Sequence, residues 1–208
     1  MTHNFNGQSL QDKFVSLVLK NKFNGYFLEI GSNHPKNINN SYYLEKELNW
    51  SGIMVEYNNN WLESYKESRP NSIHIMNDAT QVDYYQLLKQ NSFPSNLDYL
   101  QIDLEVSNRS TLTTLELLNN TVFNEYKFAT VTFEHDIYSG DYFNVRLASR
   151  EIFINKGYIL VFPDVSNDSK PYEDWYIHPD LVDIQYINNI KQSSSLDYNE
   201  IINILEKK

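Results

Sequence analysis

Six short apolar runs, most of them closed by a polar or acidic residue, alternate along this chain with stretches of helical spacing. That alternation constrains the fold more than any other feature. The runs are YFLEI (26–30), GIMVE (52–56), SIHIM (72–76), LDYLQIDL (97–104), FATVTFEHD (128–136) and YILVFPD (158–164). Helical spacing falls at 8–21, 41–48, 59–68, 81–91, 110–119 and 142–156, where Gly157 is placed to cap the last of these. A final short helix is expected at 197–206, beyond the Ser193-Ser194-Ser195 link. Strands joined through helices by short connections imply a parallel sheet covered on both faces, and near-continuous apolar strands suit such a doubly buried sheet. The 208 residues fit one α/β domain, with its core at about 8–186.

Composition narrows the function classes. The net charge is −10 and there is no lysine- or arginine-rich block, so a nucleic acid is not an expected partner. The absence of cysteine excludes disulfides, thiolate metal sites and a thiol nucleophile. The opening MTHNFNGQSLQDKF lacks the pattern of a signal peptide, and no apolar run approaches the roughly 20 residues a bilayer requires. A cytoplasmic protein that engages no membrane is expected, and the Asn-x-Ser/Thr triplets read as accidents of an asparagine-rich composition.

The strand ends carry the chemistry. In open α/β sheets ligands bind at the carboxyl ends of the strands. The first run ends on Glu29-Ile30 and turns at Gly31-Ser32-Asn33, where a glycine admits close approach to a ligand. GSNHPKN lacks the second and third glycines of a dinucleotide fingerprint, and Pro35 removes a backbone donor, so a pyrophosphate fits poorly. A phosphate-free nucleoside carrying an ammonium or sulfonium suits Glu29 better. Glu56 ends the second run where such folds place an acid for a ribose diol. Asp78 and Ala79 follow the third run, where a carboxylate could meet an adenine amine, and Asp103 ends the fourth with Glu105 close behind. Each acid alone also reads as a helix cap. Crowded on one edge, the four call for a cationic ligand such as S-adenosylmethionine.

The strings GYFLEIGSN, NNSYYLEKELNWSGIMVEYN and LDYLQIDLE, with SLQDKFVSLVL before them, resemble the FkbM-type S-adenosylmethionine-dependent methyltransferases over about residues 8–180. The resemblance implies a single Rossmann-like three-layer sandwich: a mostly parallel seven-stranded sheet, its seventh strand antiparallel, with helices on both faces. It implies methyl transfer to oxygen, often on a sugar or glycan. By position it assigns Glu29, Gly31 and Ser32 to the methionine end of the cofactor, Glu56 to the ribose, Asp78 and Ala79 to the adenine, and Asp103 to the methyl group, and Tyr57 is expected among the cofactor contacts. Ser41 and Gln11 occupy matching positions. The chain departs from the family at Glu56-Tyr57-Asn58, at His34-Pro35 and at Val106.

A hydroxyl acceptor needs a general base, and His135 beside Asp103 is the candidate, with Glu134 or Asp136 to orient it. A strand-end histidine can equally be structural. Acceptor contacts are expected from Glu105 and from Trp175 and His178 in KPYEDWYIHPDL (170–181), which otherwise reads as a loop packed over the sheet. No metal motif is present, although Asp103, Glu134 and His135 could together hold a divalent ion. His74 reads as core and His3 as part of a terminus. The partner expected is a small-molecule or glycan acceptor. A nicotinamide oxidoreductase and a non-catalytic nucleoside-binding module of the same fold stay open as alternatives.

Overall fold

The computed structural model describes residues 4–208, so His3 lies outside the described residues. Its strands are β1 (Tyr26–Ile30), β2 (Ser51–Glu56), β3 (Ile73–Met76), β4 (Asn96–Ile102), β5 (Lys127–Glu134), β6 (Ile159–Asn167) and β7 (Lys170–Ile177). They form one sheet in the order β3-β2-β1-β4-β5-β7-β6. Pairing is parallel from β3 through β5, and β7 runs antiparallel to both β5 and β6. The sheet is therefore mixed, a parallel body extended by one antiparallel hairpin, which corrects the expectation of a mostly parallel sheet.

Helices α1 (Gln11–Val18), α2 (Tyr42–Leu48), α3 (Leu62–Ser68), α4 (Tyr84–Gln90), α5 (Ser110–Asn120), α6 (Phe143–Asn155), α7 (Ile184–Ile190) and α8 (Tyr198–Leu205) cover the two faces. Strand side chains alternate between those faces with a period of two. Leu28, Ile30, Leu100, Ile102, Val131 and Phe133 pack with α4, α5 and α6. Phe27, Met54, Tyr99, Trp175 and Ile177 pack with α1, α2, α7 and α8. Among the described residues no helix is long and apolar enough to cross a membrane.

The segment expected to be a loop with aromatic site residues is β7. It returns from β6 through Asp168 and Ser169, at φ 51° and 63°. Two consecutive positive φ values form the tight two-residue turn whose twist suits a hairpin. The pleat then sends Glu173, Trp175 and Ile177 toward the α1 face, and Asp174 and Tyr176 toward α6. Trp175 is fully buried and stacks on Phe14, with ring centroids 4.5 Å apart.

Candidate active site

The parallel strands end at a cleft of about 350 Å³. Gly31 turns the chain out of β1 at φ 85°, and a β-carbon there would lie 1.7 Å from the Asp103 carbonyl oxygen. Only a glycine lets the β1 and β4 ends approach this closely. Glu56 stands at the end of β2, its carboxylate accepting the Asn33 N–H at 2.7 Å and the Asn58 N–H at 2.8 Å. Tyr57, Ala79, Asp103 and Glu105 complete the part of the wall that the sequence pointed to. Asp78 sits in an adjoining lobe that shares Tyr57, Ala79 and Glu105 with the cleft, where it caps the following turn through the Thr80 N–H at 2.9 Å.

Three expected cofactor contacts lie behind the wall. Glu29 faces away from the cleft, 1% exposed, on the same side of β1 as Phe27. It accepts hydrogen bonds from Ser41 Oγ at 2.7 Å, Asn39 Nδ2 at 3.2 Å and the Asn40 N–H at 3.2 Å. Ser41 Oγ accepts in turn from Arg69 Nη2 at 2.6 Å, and the fully buried Arg69 also pairs with Glu45 at 2.9 Å. Ser32 donates to the Val55 carbonyl and accepts from Tyr65. Glu29, Ser32 and Ser41 thus fasten the 31–41 loop that frames the cleft. Burial raises Glu29 to about 7, although Arg69 and its three donors pull the other way.

Glu134 and Asp136, which the sequence offered as partners for His135 and, for Glu134, as a candidate metal ligand, do line the cleft. Glu134 shares a hydrogen bond with Asp103, and both pKa values are raised, first by burial. The mutual repulsion of the two carboxyls adds to the shift of Glu134. Asp136 is raised as well, by burial and then by Asp103.

His135 is not at the cleft. One residue beyond Glu134, it points to the opposite face of the sheet and is fully buried. Its Nδ1 faces the Ile137 N–H at 3.4 Å, and its Nε2 lies 3.5 Å from Asp164 and 3.6 Å from Asp174. These distances make a weak electrostatic contact rather than strong hydrogen bonds. The expected base is therefore a structural histidine. The metal set of Asp103, Glu134 and His135 is likewise divided between two faces. Among the described residues the one group spaced to share an ion is His135, Asp164 and Asp174. Its carboxylates are already engaged by Arg146 at 2.9 Å and Arg150 at 2.7 and 2.8 Å.

Trp175 and His178 are also displaced from the expected acceptor site. Trp175 is core, and His178 lies at the far end of the sheet, its N–H donating to the Ala129 carbonyl at 3.0 Å. An antiparallel β7 necessarily carries its last residues away from the cleft.

The buried acids give the fold a pH signature. Besides Glu29, burial raises Asp12 to about 6 and Glu173 to about 8. These groups hold protons in the folded state that the unfolded chain has released, so stability falls as pH rises through that interval. Asp174 acts oppositely: Arg150 and His135 overcome its burial and lower its pKa, so its contribution is lost only in acid. The melting temperature of the ligand-free protein is expected to decline steadily between about pH 5 and about pH 8. A flat or rising profile over that range would contradict the protonated state of these carboxyls.

No family model and no curated protein sequence matches the chain. Solved structures do. A TehB-like S-adenosylmethionine-dependent methyltransferase from Corynebacterium glutamicum aligns over 84% of this chain and 88% of its own, with 10% identity and a TM-score of 0.53. A candidate rRNA-methylase from Clostridium thermocellum aligns over 83% of this chain and 95% of its own, with 12% identity and a TM-score of 0.55. At such identities the likeness concerns architecture alone: the chain shares with these two proteins a Rossmann-like α/β fold.

Proposed function

We propose that the protein transfers a methyl group from S-adenosylmethionine to a hydroxyl of a small, sugar-like acceptor. One observation carries the reading: among the described residues the cleft is walled by Glu56, Asp103, Glu105, Glu134 and Asp136, and by no lysine, arginine or histidine. A pyrophosphate would be repelled there, which disfavours a nicotinamide cofactor. A ligand with a sulfonium and an ammonium relieves the repulsion. The residues also fit it in detail. Gln101 Oε1 is a buried acceptor without a donor, and the Nε2 of the same amide lies 3.4 Å from Asp103. The Gly31 turn keeps the floor free of side chains, Glu56 suits the ribose diol, and Ala79 with Tyr57 and Asp78 suits the adenine.

When bound, this cofactor supplies an electrophilic methyl group. The chain's own part is to position the acceptor and take its proton. We assign that proton to Glu134, with Asp103 as its partner. With a cation in the cleft the pair gives up a proton, and one carboxylate becomes free to accept another. The acidic rim and the net charge of −10 favour a neutral or cationic acceptor over a nucleic acid. The resemblance to FkbM-type enzymes supports oxygen as the atom methylated.

Incubation with methyl-labelled S-adenosylmethionine and a panel of polyhydroxylated acceptors, read by mass spectrometry, tests the reaction. Glu134→Gln is expected to lower turnover about 100-fold or more while S-adenosylhomocysteine still binds. A variant at full rate would remove Glu134 as the base. Cofactor binding without transfer to any acceptor would favour a non-catalytic binding module.

A further inference from the structure

A second cavity, of about 210 Å³, opens beside the cleft against the β6–β7 hairpin. Its walls include Glu134, Asp136, Tyr138, Asp168, Lys170 and Tyr172. Glu134 and Asp136 line both cavities, so a molecule seated in the second has its nearest edge at the carboxyl assigned above as the base. We propose that this cavity seats the methyl acceptor, and that the acceptor is a small polyol bearing a protonated amine. The proposal rests on the methyltransferase reading only in calling that molecule an acceptor.

Size and chemistry both point there. The volume is below that of ordinary drug-sized sites, about 300–1,000 Å³, and suits a single sugar-sized ring. The lining mixes carboxylates, phenols and one ammonium, the complement that hydroxyl groups need. Tyr138 is 49% exposed and offers a face for a ring, with Lys170 Nζ 5.9 Å from its centroid. Tyr172 is a fixed wall, since its hydroxyl donates to Glu173 at 2.8 Å and accepts from Gln11 at 3.2 Å.

The preference for an amine follows from charge. Among the described residues, Asp136 and Asp168 form no ion pair with lysine or arginine, and neither does Lys170. Glu134 aside, the carboxylates of Asp136 and Asp168 face the single ammonium of Lys170, which leaves at least one unmatched negative charge. A phosphorylated or acidic sugar would add to that charge, and an amine would cancel it. Asp136 and Asp168 are held in the left-handed region, at φ 51° each, so both carboxylates are placed by a constrained backbone.

The test is calorimetric titration of glucosamine, glucose and glucuronate into protein saturated with S-adenosylhomocysteine, whose own binding is measured beforehand. Glucosamine is expected to bind about 2- to 5-fold more tightly than glucose, the scale of one partly exposed ion pair, and glucuronate most weakly. Asp168→Asn should erase the gap between glucosamine and glucose. Asparagine tolerates the left-handed conformation of that turn, so the variant is expected to fold. Equal binding of the first two sugars, tighter binding of glucuronate, no binding of any, or an unchanged order in Asp168→Asn would each overturn the proposal. The two readings fail separately. S-adenosylhomocysteine binding without amine preference sinks the cavity assignment alone, whereas glucosamine binding without nucleoside binding sinks the methyl-donor assignment alone.

Discussion

Gly31→Ala is expected to abolish measurable S-adenosylmethionine binding and to destabilise the fold by at least ~3 kcal/mol. Two costs combine. The residue sits at φ 85°, a conformation that an L side chain enters at about 1–2 kcal/mol. The added methyl would also lie 1.7 Å from the Asp103 carbonyl oxygen, and this contact is with backbone, which cannot rotate aside. Relief requires the β1 and β4 ends to separate, and that separation displaces Asp103 and its partner Glu134. Calorimetry reads the first effect and urea denaturation the second. An alanine variant with native affinity would show that the Gly31 turn does not frame a ligand site.

The second large effect is expected at Arg69. Arg69→Leu should cost about 3–5 kcal/mol, because it strands a buried carboxylate rather than removing a balanced pair. Glu45 would lose its cation at 2.9 Å, and Asn39 and Ser41 would lose the donors that orient them onto Glu29. Glu29 itself would be pushed further upward, since Arg69 is the largest influence now holding it down. The stability loss should therefore be greater at pH 8 than at pH 5, in the direction set by a raised carboxyl pKa. A loss below about 1 kcal/mol at both values would mean that this network does not fasten the 31–41 loop.

The legible parts of the sequence were those in which one signal dominates. β1, β2, β4 and β5 are legible as apolar runs because their inner residues are buried on both faces, and β3 as a half-buried run at the sheet edge. Once that topology is granted, the strand ends converge, and Gly31, Glu56, Tyr57, Ala79, Asp103 and Glu105 fall on the cleft with no further information. Alternation within each strand says more than the apolar runs do. Leu28 and Ile30 face one way, so Glu29 between them must face the other. By the same parity, Glu134 and His135 cannot both face a ligand, and chemistry favoured the histidine although geometry favours the glutamate. β7 was missed because KPYEDWYI mixes acids and aromatics as a sugar site does. Its polar residues instead satisfy α1 on one face and α6 on the other: Glu173 accepts from Gln11 at 2.9 Å and Asp174 from Arg150 at 2.7 Å. The turn at Asn167-Asp168-Ser169 between two apolar-aromatic runs was the signal that could have revealed it.

The cleft carries protons where a cationic nucleoside would place its charge, so binding should expel them. Titration calorimetry of S-adenosylmethionine, repeated in phosphate and in Tris, separates the heat of binding from the heat of proton transfer. Saturable heat is expected, with net proton release to the buffer and affinity that strengthens as pH rises. Absence of binding heat in folded protein, or binding without proton release, would contradict the view that this acidic rim exists to hold a positively charged, phosphate-free cofactor.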